Sequence, residues 1–461
     1  MIASKLAALV LVAVGLACAD SSEAPESETG PDAGEEVGDA PLRPTWHQDV
    51  APIVHARCVG CHSASGVAPF SLVTHAEASP WASPLVEAVH AEQMPPWGAH
   101  ETDECQPRHA WVDDPRLTAD EIEVLSEWAE LGAPEGDPAD AAPLPELEDP
   151  ALADVSDVLE SPAPIVVAGQ FDSFECVSLE LGLDHDVWVT GVELLPDNLA
   201  VVHHALIFLD ETGASAEIAD PDGRYPCAEL EMGSLLGSWF PGSTPTELPP
   251  EFGIRLPAGA RVVMQYHYHP TGSREDVDHS RLAIRWTEQA PAYEAWISSV
   301  GNATSATEGL LPGPDDPAGV PTFAIPPDVV DHTETMQVVV PEWFPTAELF
   351  LLGPHMHAIG VDLRLTRTRA GETECLIQDP HWDPDWQSVY RVDAAPGEYP
   401  TLAAGDVLTL RCTYDNSLAN PNLVEALASY GLDQPFTATM GSAGLDEMCM
   451  FVYGVALASA P

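Results

Sequence analysis

Cys58-Val59-Gly60-Cys61-His62 sets two thiols about one helical turn apart, with an imidazole next to the second. That spacing lets the thiols form thioethers with the two vinyl groups of a haem, while the imidazole becomes the proximal iron ligand. A zinc or thiol-redox Cys-x-x-Cys is the competing reading. It needs a second ligand pair nearby or a thioredoxin-like βαβ setting, and the sequence offers neither. Met94, in Met94-Pro95-Pro96-Trp97, is the expected sixth ligand. A thioether opposite an imidazole raises the potential, and the prolines hold the loop extended. His90, His100 and His109 are its rivals, each equally readable as an ordinary surface histidine. One covalent haem c is the expectation.

Further along, three histidine motifs have ligand chemistry. In VVHHALIFLD, His203 and His204 are neighbours, and neighbouring strand residues point to opposite faces. Both reach one ion only at a bend or a strand end. His267 and His269 in VVMQYHYHPTG share one strand face, as do His355 and His357 in LLGPHMHAIG. Met448 lies in LDEMCMF, where a methionine is ordinarily core packing.

The elements that must carry these residues differ along the chain. Lys5 followed by the apolar run Leu6–Leu16 reads as an export signal over residues 1–18, too short to span a bilayer, which takes roughly 20 residues. Gly15-Leu16-Ala17-Cys18 resembles a bacterial lipobox with Cys18 as the acylated anchor; cleavage near Ala17 or Ala19 is the alternative. Residues 19–43 form an acidic tether without apolar period. From 44 to 133 a compact helical unit is expected, closed by a helix with Thr118 and Glu121 as capping box and Ile122, Leu125, Trp128 and Leu131 at helical spacing. Residues 134–163 read as a second acidic, Pro/Ala-rich linker. Beyond 164, short runs rich in β-branched, leucine and aromatic residues recur between Pro, Gly and Asp, the pattern of β-sandwiches, with room for two. The expected architecture is therefore multidomain: a small all-α cytochrome c domain, then two all-β, jelly-roll-like sandwiches over 164–290 and 291–461.

Charge excludes some partners. With 74 acids against 16 bases the formal charge is -58, which repels nucleic acid and anionic lipid headgroups. Any membrane contact is expected only through the lipid anchor, at the outer membrane or cell surface; without the anchor the protein is periplasmic or secreted. Of nine cysteines, six remain after Cys18, Cys58 and Cys61, and in an oxidising compartment these allow up to three bridges.

Taken in order, His203-His204, Gln265-Tyr266-His267, His355-Met356-His357 and Asp446-Glu447-Met448-Cys449 resemble the copper type II, ascorbate-dependent monooxygenases, the peptidylglycine α-hydroxylating and dopamine β-monooxygenase family. The resemblance spans about 165 to 453. It implies two sandwiches, each with one copper: an electron-transfer copper on His203, His204 and His267, and an oxygen-activating copper on His355, His357 and Met448. It leaves His269 near the site or on the surface, and gives Gln265 a place in shaping the cleft. It also implies the disulfides Cys176–Cys227 and Cys412–Cys449. Cys105 and Cys375 have no family partners; two free thiols are the simpler reading, a bridge from the cytochrome to the second sandwich the other.

Two departures matter. Where peptide-hydroxylating members carry an Arg, an Asn and a Tyr that hold a substrate carboxylate, this chain has Gly353, Met450 and Val452, which points to a more apolar small molecule. The fused haem is the second: fed by an external donor, it is expected to pass electrons to the His203/His204/His267 copper and on to the His355/His357/Met448 copper, where O2 hydroxylates a C–H bond. An electron-transfer or copper-handling protein without hydroxylase activity is the alternative. Sandwiches that merely bind a partner, with metals as structural clips, are a third.

Overall fold

The computed structural model describes residues 43–461 apart from 65, 146–150, 170–171, 228–233, 273–275, 303–308, 314–315, 317–319 and 460–461. The export signal, Cys18 and the tether up to residue 42 lie outside the described residues. No helix among those described is long and apolar enough to cross a membrane.

Three helices gather around a small core of their own: α1 (Ala51–Arg57), α2 (Ala82–His90) and α3 (Ala119–Glu130). In α3 the capping box forms, with Thr118 Oγ1 accepting from the Glu121 amide and the Glu121 carboxylate accepting from the Thr118 amide at 2.7 Å. Leu125 and Trp128 are wholly buried against Trp46, Val50, Val54 and Leu72. A leucine buried this fully stabilises by about 2 kcal/mol. Gly132, at φ +80°, ends the helix, and the Pro134 carbonyl then accepts from both the Trp128 indole and the Trp46 amide.

A separate all-α domain over 44–133 is not evident. The segment after α2 leaves the helices and lies across the β-structure as a strap. Trp97 packs edge-on against Tyr390, Ala110–Trp111 pairs antiparallel with Tyr390–Asp393, and Trp111 is buried in the main core. Cys105 is bonded to Cys375, across 270 residues, so the free-thiol reading is corrected. Beside the bridge, the Glu104 carboxylate accepts from Arg364 and Arg411. The apolar strap residues bury elsewhere: Ala99 and Trp111 lie in the main β core, with Trp97 packed against it, and none of the three joins the helical core.

Most of the regular structure is β-sheet, consistent with sandwiches. The strands that matter are β1 (Ser173–Glu180), β2 (Val202–Asp210), β3 (Ser234–Trp239), β4 (Arg261–Tyr268), β5 (Tyr293–Asn302), β6 (Ala347–His355), β7 (Val407–Tyr414) and β8 (Cys449–Ala458). Seven of them lie in one extended sheet in the order β6-β8-β5-β3-β2-β4-β1, so a single sheet carries every candidate copper ligand strand. The eighth, β7, belongs to a four-stranded sheet with His332–Val339, Gly360–Arg369 and Glu372–Asp379. Leu408, Leu410 and Cys412 of β7 alternate inward, as a half-buried strand requires. The Cys412–Cys449 disulfide then ties that sheet to β8. In the first half, Cys176–Cys227 fastens β1 to the loop after Arg224–Pro226.

Candidate metal centres

Neighbouring histidines on a strand should diverge, and a β-bulge is what brings His203 and His204 together. Across the β2–β4 ladder His267 faces His204, but Tyr268 faces Val202, which leaves His203 as the extra residue. A bulge turns such a residue out of the regular alternation. The result is three converging imidazoles. His203 Nδ1 lies 3.1 Å from His204 Nδ1 and 3.3 Å from His267 Nδ1. A proton can sit between two of these nitrogens but not satisfy all three. Spacings of this size are what three ligands each about 2 Å from one ion present, so the donor set fits a metal.

The far nitrogens are held by acids. His267 Nε2 is 3.0 Å from Asp172 Oδ2, and Phe174 stacks on the same ring at 4.4 Å. Register explains both, since β1 pairs with β4 and sets Phe174 opposite His267. Burial acts to raise the Asp172 carboxyl, but the hydrogen bond from His267 and the surrounding imidazole charge outweigh it and hold the group low. His269 is 62% exposed and reaches only the other Asp172 oxygen, at 2.8 Å. Gln265 is buried beside Cys227, two residues before His267.

On the other side, His355 ends β6, Met356 turns into the core and His357 follows, so the two imidazoles share a face with ring centroids 5.4 Å apart. His355 pairs with Met450 across β6 and β8, and continuing that register sets His357 opposite Met448. Each imidazole has its Nδ1 engaged, His355 with Gln387 Oε1 at 2.8 Å and His357 with the Asp446 carbonyl at 2.9 Å. Such contacts fix the tautomer and leave Nε2 free to accept a metal. Glu447, 1% exposed, accepts the amides of His357, Ile359 and Met448, so one carboxyl joins the His-x-His turn to the methionine. Burial pushes that carboxyl up to about 8 against the pull of the three amides. Buried and beside His357, His355 is pushed down to about 3.

The two groups face one another. Burial, and then the charge of His267, His203, His355 and His357, drives His204 well below its usual range. The turn at 383–387 touches both, with Asp385 3.8 Å from His203 Nε2 and Gln387 on His355. Asp172, Phe174, Asp385, Gln387 and Glu447 were not singled out for a role in the sequence, because only strand pairing places them.

In the helical part, Cys58 and Cys61 are free and partly buried, and burial pushes the Cys58 thiol up to about 12. Such a thiol is a poor thiolate donor or redox nucleophile. Among the described residues, no third His, Cys, Asp or Glu joins them in a metal-holding group. His62 Nδ1 lies 3.2 Å from the Phe70 carbonyl, leaving Nε2 available, and Phe70 is sandwiched between His62 and Trp81. Met94 sits in the partly buried turn after α2, its amide on the Ala88 carbonyl. Its rivals have other occupations: His90 meets Ser126, His100 meets the Trp97 carbonyl, and His109 packs on Trp111.

Together these features set a three-imidazole cluster that fits a metal beside a His-x-His turn whose strand register runs on to Met448. Residues 325–453, which hold His355, His357 and Met448, match the model of the copper type II ascorbate-dependent monooxygenase C-terminal domain. MOXD1 homolog 1 of Drosophila melanogaster is 25% identical over 183 residues, 38% of this chain and 24% of that protein. The chain thus spans about a quarter of the curated relative it matches. Both matches support that copper monooxygenase family. Among solved structures, the major capsid protein P2 from bacteriophage PM2 is 11% identical at a TM-score of 0.28, over 66% of this chain and 98% of that one. Allantoicase is 11% identical at 0.15, over 55% and 83%. Neither bears on fold or function.

Proposed function

We propose that the protein is an exported, copper-dependent monooxygenase that hydroxylates a C–H bond of a small apolar substrate with O2, drawing electrons through a covalent haem. The observation that carries this reading is the convergence of the His203, His204 and His267 Nδ1 atoms, with the turn at 383–387 reaching both His203 and His355. Bound there, copper moves single electrons, and a site of two imidazoles and a thioether favours the Cu(I) form that meets O2.

The residues have distinct tasks. His203, His204 and His267 hold one ion, and Asp172 with Phe174 keeps the His267 ring in place. His355, His357 and Met448 hold the other, with Gln387, the Asp446 carbonyl and Glu447 fixing their positions. Gly353 bears on the substrate: a Cβ there would lie 2.8 Å from Val389 and 3.4 Å from Val452. A long cationic side chain has no room at that point, so the cleft offers no carboxylate clamp from it. Cys58, Cys61, His62 and Met94 would hold the haem, which would supply one-electron reduction. Three disulfides fit an oxidising compartment, and Cys18 as lipid anchor is part of the same proposal.

The test is substrate-dependent O2 uptake coupled to haem oxidation in the copper-loaded protein, across a panel of apolar small molecules. Coupled uptake is expected. Haem oxidation by copper without substrate-dependent uptake would leave an electron-transfer or copper-handling protein instead.

A further inference from the structure

The haem-binding turn touches the first sandwich at one loop, and that loop leads directly to the three-imidazole site. Strand β3 pairs with β2 so that Trp239 faces Ala205, and one residue further Phe240 comes opposite His204. Their rings are 5.5 Å apart. The chain then turns sharply. The Phe240 carbonyl accepts from the Ser243 amide at 3.0 Å, with Pro241 second and Gly242 third at φ +85°, the pattern of a type II turn. Ser243 Oγ accepts from the Phe240 amide at 3.0 Å and secures the loop. A Cβ built on Gly242 would lie 3.6 Å from Cys61 Sγ and 3.6 Å from Val67 Cγ2. Two residues of one pinned turn therefore separate the sulfur that would carry the haem from the aromatic ring that lies on His204.

We propose that Phe240-Pro241-Gly242-Ser243 is the electron-entry contact, the place where the Cys61-linked haem delivers electrons to the copper on His203, His204 and His267. This rests on the function proposed above. In the step one electron leaves Fe(II), which becomes Fe(III), and is taken up by Cu(II), which becomes Cu(I). No bond forms or breaks and no proton has to move. Gly242 serves by letting the turn close against Cys61 and Val67, and Phe240 serves as a positioning residue that spans from the turn to the imidazole.

Two experiments on the full-length, haem- and copper-loaded protein test this. The first asks whether the contact exists. In Val67→Cys/Gly242→Cys, non-reducing mass spectrometry should show a bridge between residues 67 and 242, independent of any turnover. Absence of the bridge in a folded protein overturns the contact. The second asks whether it conducts. Under anaerobic stopped flow, wild type with reduced haem and oxidised copper should show a fast phase of haem reoxidation with matching loss of the Cu(II) signal. Phe240→Leu should lose that phase with copper content unchanged. A fast phase kept in Phe240→Leu overturns the proposal. No haem reoxidation in wild type would instead sink the haem-to-copper relay on which it rests.

Discussion

Replacing Asp172 by alanine tests whether the His203/His204/His267 group is a metal centre or an accident of packing. Asp172 Oδ2 accepts from His267 Nε2 at 3.0 Å, so it fixes the ring with Nδ1 toward His203 and His204. The carboxylate is held below its ordinary range, so it is ionised at neutral pH and strengthens the imidazole as a donor. Loss of such a partner typically lowers metal affinity about 10- to 100-fold, roughly 1.4–2.7 kcal/mol. Phe174 still stacks on the ring, which argues for the lower part of that range. Competition between the protein and a Cu(I) chelator, followed by absorbance, measures the change. His269→Ala is the control: its ring is mostly exposed and meets only the other oxygen, so affinity should hardly move. An unchanged Cu(I) affinity in Asp172→Ala, with His267→Ala also unchanged, would refute the three-imidazole centre.

Other consequences follow from the same contacts. Cys105→Ser opens a bridge spanning 270 residues. Chain entropy puts its worth on the order of 5 kcal/mol, so urea unfolding should shift to a lower midpoint and the strap at 97–116 should become cleavable by protease. Glu447→Gln replaces two acceptor oxygens with one, leaving amides of the His357–Met448 clamp unpaired. A cost of roughly 1–3 kcal/mol is expected, with loss of one copper per chain by metal analysis. The metal-free protein should also respond to pH through His355, pushed down to about 3. Between that value and about 6.5 the unfolded chain binds a proton that the folded chain does not, so stability falls as pH falls through the window, by at most about 1.4 kcal/mol per unit for one imidazole. Melting curves of wild type against His355→Asn isolate this term; a wild type no more acid-sensitive than the variant would contradict it.

Much of this was legible from residue order alone. The runs around 187–195, 261–268 and 407–414 are strands because their β-branched and aromatic residues are bounded by turn formers, and the α3 capping box was visible in Thr118 and Glu121. What stayed hidden depends on pairing between distant segments. Nothing in VVHHALIFLD shows that His203 is a bulge residue; only the register with β4 does. The strap is illegible for the same reason. Trp97, Cys105 and Trp111 read as parts of a helical unit because their neighbours in sequence are helical. Their burial partners, Tyr390 and Cys375, lie more than 250 residues away. Asp172 is one of 74 acids in the chain, with no pattern in sequence to set it apart from the solvated ones, and Glu447, though inside the Asp446–Cys449 motif, shows its clamp on the His357 and Ile359 amides only in the fold.

The proposed monooxygenase carries two copper ions per chain, one of them held by Met448. X-ray absorption at the copper edge of the Cu(I)-loaded protein, together with metal analysis, reads both at once. Two coppers per chain are predicted, with a sulfur scatterer in wild type that disappears in Met448→Leu while the imidazole scattering of the other site persists. Zinc in place of copper, or a scattering pattern that Met448→Leu leaves unchanged, would contradict a copper held by Met448.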